Sequence, residues 1–250
     1  MIICNSNNFA VTRAQKTAGT SLELYILESG LANGESDIYA LEGGFGNWRE
    51  FKQYSDTHQN LKYAELPPSL WGQESLESAQ ITFAELVDKG MISSDMPCIG
   101  AIRNPIEWLA SLYYYANVRR KINAAESLKK YGHYTERDMY YAVQITEPDQ
   151  SFDFLFDRVW DIEKVQKSVK PQCSYYPDHA QLFNIENIHE HASEFIVNKG
   201  GTVPGRVEAR KSDNDPTYYL ANLSEDRKQR ALDIYAKDYE LWEKAYAVYN

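Results

Sequence analysis

Six residues near the start of the chain, Lys16-Thr17-Ala18-Gly19-Thr20-Ser21, bring together a positive charge, a glycine and three hydroxyls. That set can hold a phosphate. Backbone N–H groups at a helix start point at an anion, the helix dipole favours negative charge there, and a lysine adds a unit charge. The order is not that of the nucleotide P-loop, which sets a glycine ahead of a Gly-Lys-Ser/Thr run. No Gly-Lys dipeptide occurs in the chain, and here the lysine leads while the hydroxyls follow. The competing reading is a surface turn in which Thr20 caps a helix. Average residue usage gives the pattern Lys-[Ser/Thr]-x-Gly-[Ser/Thr]-[Ser/Thr] by chance in roughly two chains per thousand of this length.

A second group lies further along, where Cys98-Ile99-Gly100-Ala101-Ile102 runs into Arg103-Asn104-Pro105-Ile106-Glu107 and then Ser111. A guanidinium gives a phosphate two parallel hydrogen bonds, and a hydroxyl adds a third. The plainer alternative is an arginine paired with a neighbouring carboxylate.

These groups need elements to position them. Phe9-Ala10-Val11 reads as a short strand entering the lysine-led loop. Leu22, Tyr25, Ile26 and Ser29 mark one face of the helix that follows, with Gly30 at its C′ position. Cys98–Ile102 has the continuous apolar character of a buried parallel strand. Asn104 is a good N-cap, with Pro105 at N1 and Glu107 at N3 of the next helix. Arg103 therefore stands at the carboxyl end of a strand, where open α/β sheets bind ligands.

The lysine-led loop, followed by a strand ending in Arg-Asn-Pro with a serine eight positions after the arginine, resembles the sulfotransferases that use 3′-phosphoadenosine 5′-phosphosulfate (PAPS). Among them it is most similar to the carbohydrate, heparan-type branch. The resemblance covers residues 8–30 and 95–117 firmly and 172–250 more weakly. It implies an α/β fold of P-loop-like, three-layer form, a central parallel sheet flanked by helices, in one sulfotransferase domain over 1–250. It implies that Arg13, Lys16, Thr17, Ala18, Gly19, Thr20 and Ser21 surround the 5′-phosphosulfate, with Arg103 and Ser111 on the 3′-phosphate. Arg210 and Lys211, beyond the Gly-rich segment Gly200–Arg206, would close over the nucleotide. The reaction implied is transfer of a sulfuryl group from PAPS to an acceptor hydroxyl on a carbohydrate, releasing PAP. Lys16 would stabilise the leaving oxygen without a metal. Glu42, after a second strand at Ser36–Leu41, and His58 are the candidate general bases. Some relatives carry a histidine where Gln80 stands, so a non-catalytic PAP- or PAPS-binding protein is one alternative. A P-loop-like nucleotide phosphotransferase is another, although no apolar strand ending in a magnesium-binding Asp stands out.

Composition frames these expectations. The chain has 250 residues, 43% hydrophobic and 25% charged, enough for a sizeable core in one domain. With 36 acidic against 26 basic residues the net charge is −10, so positive charge must be local, and nucleic-acid binding is disfavoured. Local basic clusters are Arg119-Arg120-Lys121, Lys129-Lys130 and Arg206 with Arg210-Lys211. The acceptor expected is therefore a small molecule or a neutral glycan. No signal-like or membrane-length apolar run is present, which points to a cytoplasmic protein with no membrane insertion. Cys4, Cys98 and Cys173 are far apart, read as reduced and partly buried thiols, and His189 and His191 read as surface-helix residues. Leu182–Ile185 reads as a later strand. Ser224 begins a helix whose Ala231, Tyr235, Trp242, Ala245 and Tyr249 repeat at helical spacing.

Overall fold

The computed structural model describes residues 1–34, 36–39, 81–114, 170–205 and 224–247. They divide between two compact units. Those of Met1–Arg103, Lys170–Asp213 and Lys237–Asn250 form the first, and those of Asn104–Val169 and Asn214–Ala236 the second.

The first unit is an α/β layer structure. Its sheet contains β1 (Ile2–Cys4), β2 (Phe9–Val11), β3 (Ile38–Tyr39), β4 (Cys98–Ile102) and β5 (Gln181–Asn184), in the order β3-β1-β2-β4-β5. β2, β4 and β5 are parallel, whereas β1 is antiparallel to both β2 and β3. The sheet is thus mixed, where a parallel one was expected. The reason is local: only four residues join β1 to β2, and so short a connection can make only a hairpin. Asn8, at φ 51°, takes the left-handed conformation in that turn. The Asp37 carboxylate secures it, accepting from Ser6 N at 2.9 Å, Ser6 Oγ at 2.8 Å and Gly34 N at 2.8 Å.

Alternation along the strands sorts side chains onto two faces. Ile2, Phe9, Val11, Ile99, Ala101 and Phe183 pack with α1 (Gly19–Glu28) and, further along the chain, Ile188–Asn198. On the other face, Ile3, Ala10 and Cys98 meet Phe83 and Leu86 of α2 (Phe83–Asp88). Ile102 and Leu182 of that same face meet Leu241, Trp242 and Ala245 of Ala236–Ala247. Described helices pack on both faces of this mixed sheet, an α/β arrangement. Thr82 starts α2 with a capping box, its hydroxyl accepting from Glu85 N at 3.1 Å while Glu85 Oε2 accepts from Thr82 N at 2.7 Å.

In the second unit, α3 (Pro105–Tyr114) starts where the sequence predicts, with Asn104 Oδ1 accepting from Ile106 N at 3.0 Å. Its fully buried Trp108 stands edge-on to Tyr235 at 5.4 Å. α5 (Glu225–Ile234) is also in this unit, whereas α4 (Ile188–Asn198) and, from Lys237 on, α6 (Ala236–Ala247) belong to the first. Ser224 caps α5 as expected, accepting from Arg227 N at 3.4 Å. The C-terminal pattern is two helices rather than one, broken at Tyr235 (φ −104°, ψ 31°). Two further expectations need correction. His191 is not a surface residue but lies 2% exposed on α4 beside Phe183. The second strand begins at Ile38 rather than Ser36, and residues 40–41 of the expected strand lie outside the described residues. Cys4, Cys98 and Cys173 are free thiols, the first two buried. Burial pushes Cys98 up to about 11 and, aided by Asp238, Cys173 up to about 12.

Candidate functional site

Parallel strands share one carboxyl edge, so the segments that leave β2 and β4 there emerge side by side. From β2 the chain turns through residues 12–18 into α1 and goes on to β3 on one side. It then returns to β4 on the other. The boundary between β2 and β4 is therefore a topological switch point, the place where open α/β sheets form a ligand crevice. The lysine-led loop leaves β2, and Arg103 follows β4.

The loop has an unusual backbone. Lys16 (φ 61°) and Ala18 (φ 57°, ψ 17°) are both left-handed, while Thr17 between them is not. Each such non-glycine residue costs roughly 1–2 kcal/mol. Left-handed residues next to right-handed ones form the concavities of backbone N–H groups that bind anions in other loops. Ala18 is the N-cap of α1 and offers no side-chain acceptor, and no acidic residue occupies the first turn. Thr20 is therefore not the cap that the plainer reading requires. It lies one turn-step inside α1, and its Oγ1 accepts from Arg13 Nη1 at 2.6 Å.

The other loop side chains divide between inside and outside. Thr17 is fully buried and its hydroxyl donates to Ala14 O at 3.0 Å, so its proton serves the loop itself. Arg13 is buried too, 3.3 Å from Glu23 Oε2. Gln15, Lys16, Ala18, Thr20 and Ser21 are half-exposed, while Gly19 is buried.

Several residues that nothing in the sequence singles out hold this edge together. The Tyr176 hydroxyl accepts from Ala14 N at 3.1 Å and donates to Ala101 O at 2.6 Å, tying the loop to β4. Burial raises its pKa, so the donor stays protonated. Neighbouring Tyr175 is pushed up to about 12, again chiefly by burial. Thr12 Oγ1 donates to Tyr175 O at 2.9 Å. The Gln172 side chain brackets the backbone of Arg103, and Asp238 in turn accepts from Gln172 N and Cys173 N, each at 2.8 Å. No motif marks Gln172, Tyr176 or Asp238, because their partners are 65 residues or more away in the chain.

Ser111 is half-exposed on α3, in the second unit. Glu42, His58, Arg210 and Lys211 lie outside the described residues, as do Gln80 and the basic clusters at 119–121 and 129–130. Among the described residues no helix is long and apolar enough to cross a membrane. No family model matches the chain, and neither does any curated protein or solved structure.

Proposed function

We propose that the chain is a PAPS-dependent sulfotransferase on a P-loop-like α/β fold, acting on a carbohydrate hydroxyl. The observation that carries the reading is the left-handed backbone at the entrance to α1, at Lys16 and at the N-cap residue Ala18. Two left-handed non-glycine residues lead into a helix whose N-cap residue, Ala18, has no side-chain acceptor, at the switch point beside the strand that Arg103 follows. Strain of that size clusters at active sites and ligand clamps.

In the proposed reaction the acceptor oxygen attacks the PAPS sulfur in line. The bond from sulfur to the 5′-phosphate oxygen breaks, its electron pair stays on that oxygen, and the acceptor proton passes to a base. Lys16 neutralises the departing oxygen, while loop N–H groups and the Thr20 and Ser21 hydroxyls hold the phosphate and the transferring group. As in phosphoryl transfer, the protein contributes position and electrostatics. Arg103, with Ser111 eight residues on, takes the 3′-phosphate. Glu42 ranks ahead of His58 as the base because it follows the second strand.

With 36 acidic residues against 26 basic ones, a polyanionic acceptor would meet net repulsion. A neutral or weakly charged sugar fits better, and faster sulfation of glycosaminoglycans than of neutral oligosaccharides would overturn that choice. The test of the main reading is thermal stabilisation by PAP, AMP and ATP, followed by turnover with PAPS. At a hundred times its dissociation constant, PAP should add about 2.7 kcal/mol. Equal stabilisation by AMP and PAP would reject the 3′-phosphate site. PAP binding without turnover on any sugar would leave a binding protein.

A further inference from the structure

We propose that Glu23 and Arg13 are positioning residues that aim the Thr20 hydroxyl at a ligand oxyanion, an inference resting on the reading of residues 12–21 as the donor-phosphate loop. Arg13 is 4% exposed and its side chain runs beneath the first turn of α1. A Cβ on Gly19 would stand 2.6 Å from Arg13 Cβ and 2.9 Å from Cδ, so only glycine lets the guanidinium reach this position. From there Nη1 donates to Thr20 Oγ1 at 2.6 Å and lies 3.3 Å from Glu23 Oε2. Glu23 is 1% exposed, three residues after Thr20 and so on the same side of α1, and its other oxygen accepts from the amino group of Met1.

A hydroxyl has one proton and two lone pairs. With the guanidinium donating onto one lone pair, the Thr20 proton is left for a second acceptor, and the first turn of α1 is where an anion would supply it. Donation from a charged group also polarises the O–H and strengthens what it can donate. Glu23 balances the buried positive charge whether or not a ligand is present, so Arg13 keeps its place when the site empties. Arg13 accordingly supports the loop from beneath, in place of the direct ligand contact that the sequence suggests.

The test is calorimetric titration of the full chain with PAP for wild type, Thr20→Val, Thr20→Ser, Glu23→Gln and the combination of Glu23→Gln with Thr20→Val. Thr20→Val and Glu23→Gln should each weaken PAP about tenfold or more, the effect of losing a hydrogen bond to a charged group. Thr20→Ser should bind within about twofold of wild type, because the hydroxyl remains. On the Thr20→Val background Glu23→Gln should cost under twofold, since the two residues act through one contact. Should Glu23→Gln fail to fold, Arg13→Lys, which keeps a charge beside Glu23, takes its place in the same cycle. Full additivity, or wild-type affinity in Thr20→Val, overturns the proposal. A wild-type chain that does not bind PAP rejects the phosphate-loop reading itself, and the positioning role falls with it.

Discussion

The Gln172 side chain pairs with Arg103 as though it were a neighbouring strand: its Oε1 accepts from Arg103 N at 3.0 Å and its Nε2 donates to Arg103 O at 2.9 Å. Gln172 is fully buried, and its own N–H is held by Asp238 on α6. The backbone at the end of β4 is therefore fixed by a side chain 69 residues away.

Gln172→Ala removes both bonds and leaves a backbone N–H and C=O without their partner. Unsatisfied buried groups cost about 1–3 kcal/mol each, so stability should fall by about 2 kcal/mol or more. PAP affinity should fall with it and AMP affinity much less, because the anchored residue is the one assigned to the 3′-phosphate. Urea unfolding midpoints and titration with both nucleotides check this; parallel losses for PAP and AMP would disconnect Gln172 from ligand recognition.

Gly100 makes a comparable demand at the middle of β4. A Cβ there would lie 2.2 Å from Tyr176 Cε1, a distance that forces the ring to move. Gly100→Ala should cost about 1–3 kcal/mol through overpacking and displace the Tyr176 hydroxyl from both Ala14 and Ala101. Tyr176→Phe leaves the ring in place and removes only the hydroxyl, so it should reproduce the loosening of the loop without the overpacking. Amide hydrogen exchange at Ala14 would register that loosening in both variants, and unchanged protection would refute it.

The local half of this architecture was legible. β2, β4, the start of α3 at Asn104 and the cap at Ser224 all follow from apolar runs and capping residues within a few positions of one another. The expected strand at Leu182–Ile185 was out by a single residue. What escaped depends on distance along the chain or on brevity. β1 is as short as β2, three residues each, but no chemistry-bearing loop follows it to mark it, and its hairpin makes the sheet mixed. The helical spacing of Ala231 and Tyr235 continues into Trp242 and Ala245, so the backbone break at Tyr235 leaves no trace in periodicity. Gln172, Asp238, His191 and Glu23 are polar, and polarity alone reads as surface. In the candidate site, the lysine-led loop was visible by composition, whereas the burial of Arg13 and Thr17 beneath it was not.

His191 yields a prediction in pH. Burial holds its imidazole below the usual 6.5, against the opposing pull of Glu190 and Glu194. In the window below about 6.5 the unfolded chain binds a proton that the native chain does not, so stability falls as pH falls. His191→Gln removes that uptake. Between pH 7.5 and 5.5 the urea midpoint of wild type should therefore drop further than that of His191→Gln. Equal drops would show that His191 takes no part in the acid sensitivity.

Lys16 carries two separable properties, a charged side chain and a left-handed backbone, and substitutions can split them. Lys16→Ala keeps a Cβ in the strained conformation and removes the charge, so the fold should persist while sulfuryl transfer falls. Losing one transition-state contact of the oxyanion-hole kind costs about 3–4 kcal/mol, or two to three orders of magnitude in kcat. Ala18→Gly does the reverse: it touches no charge and relieves a left-handed residue (φ 57°). The relief of about 1–2 kcal/mol is partly offset by about 0.4–1 kcal/mol of added freedom in the unfolded chain, leaving a small net gain in stability. Turnover with PAPS should then stay near wild type, because the concavity of N–H groups is available to glycine without strain. Near-normal turnover in Lys16→Ala would remove the lysine from the chemistry, and a stability loss in Ala18→Gly would contradict the strain. The two measurements are independent, so the backbone account of the loop can survive even where the charge account fails.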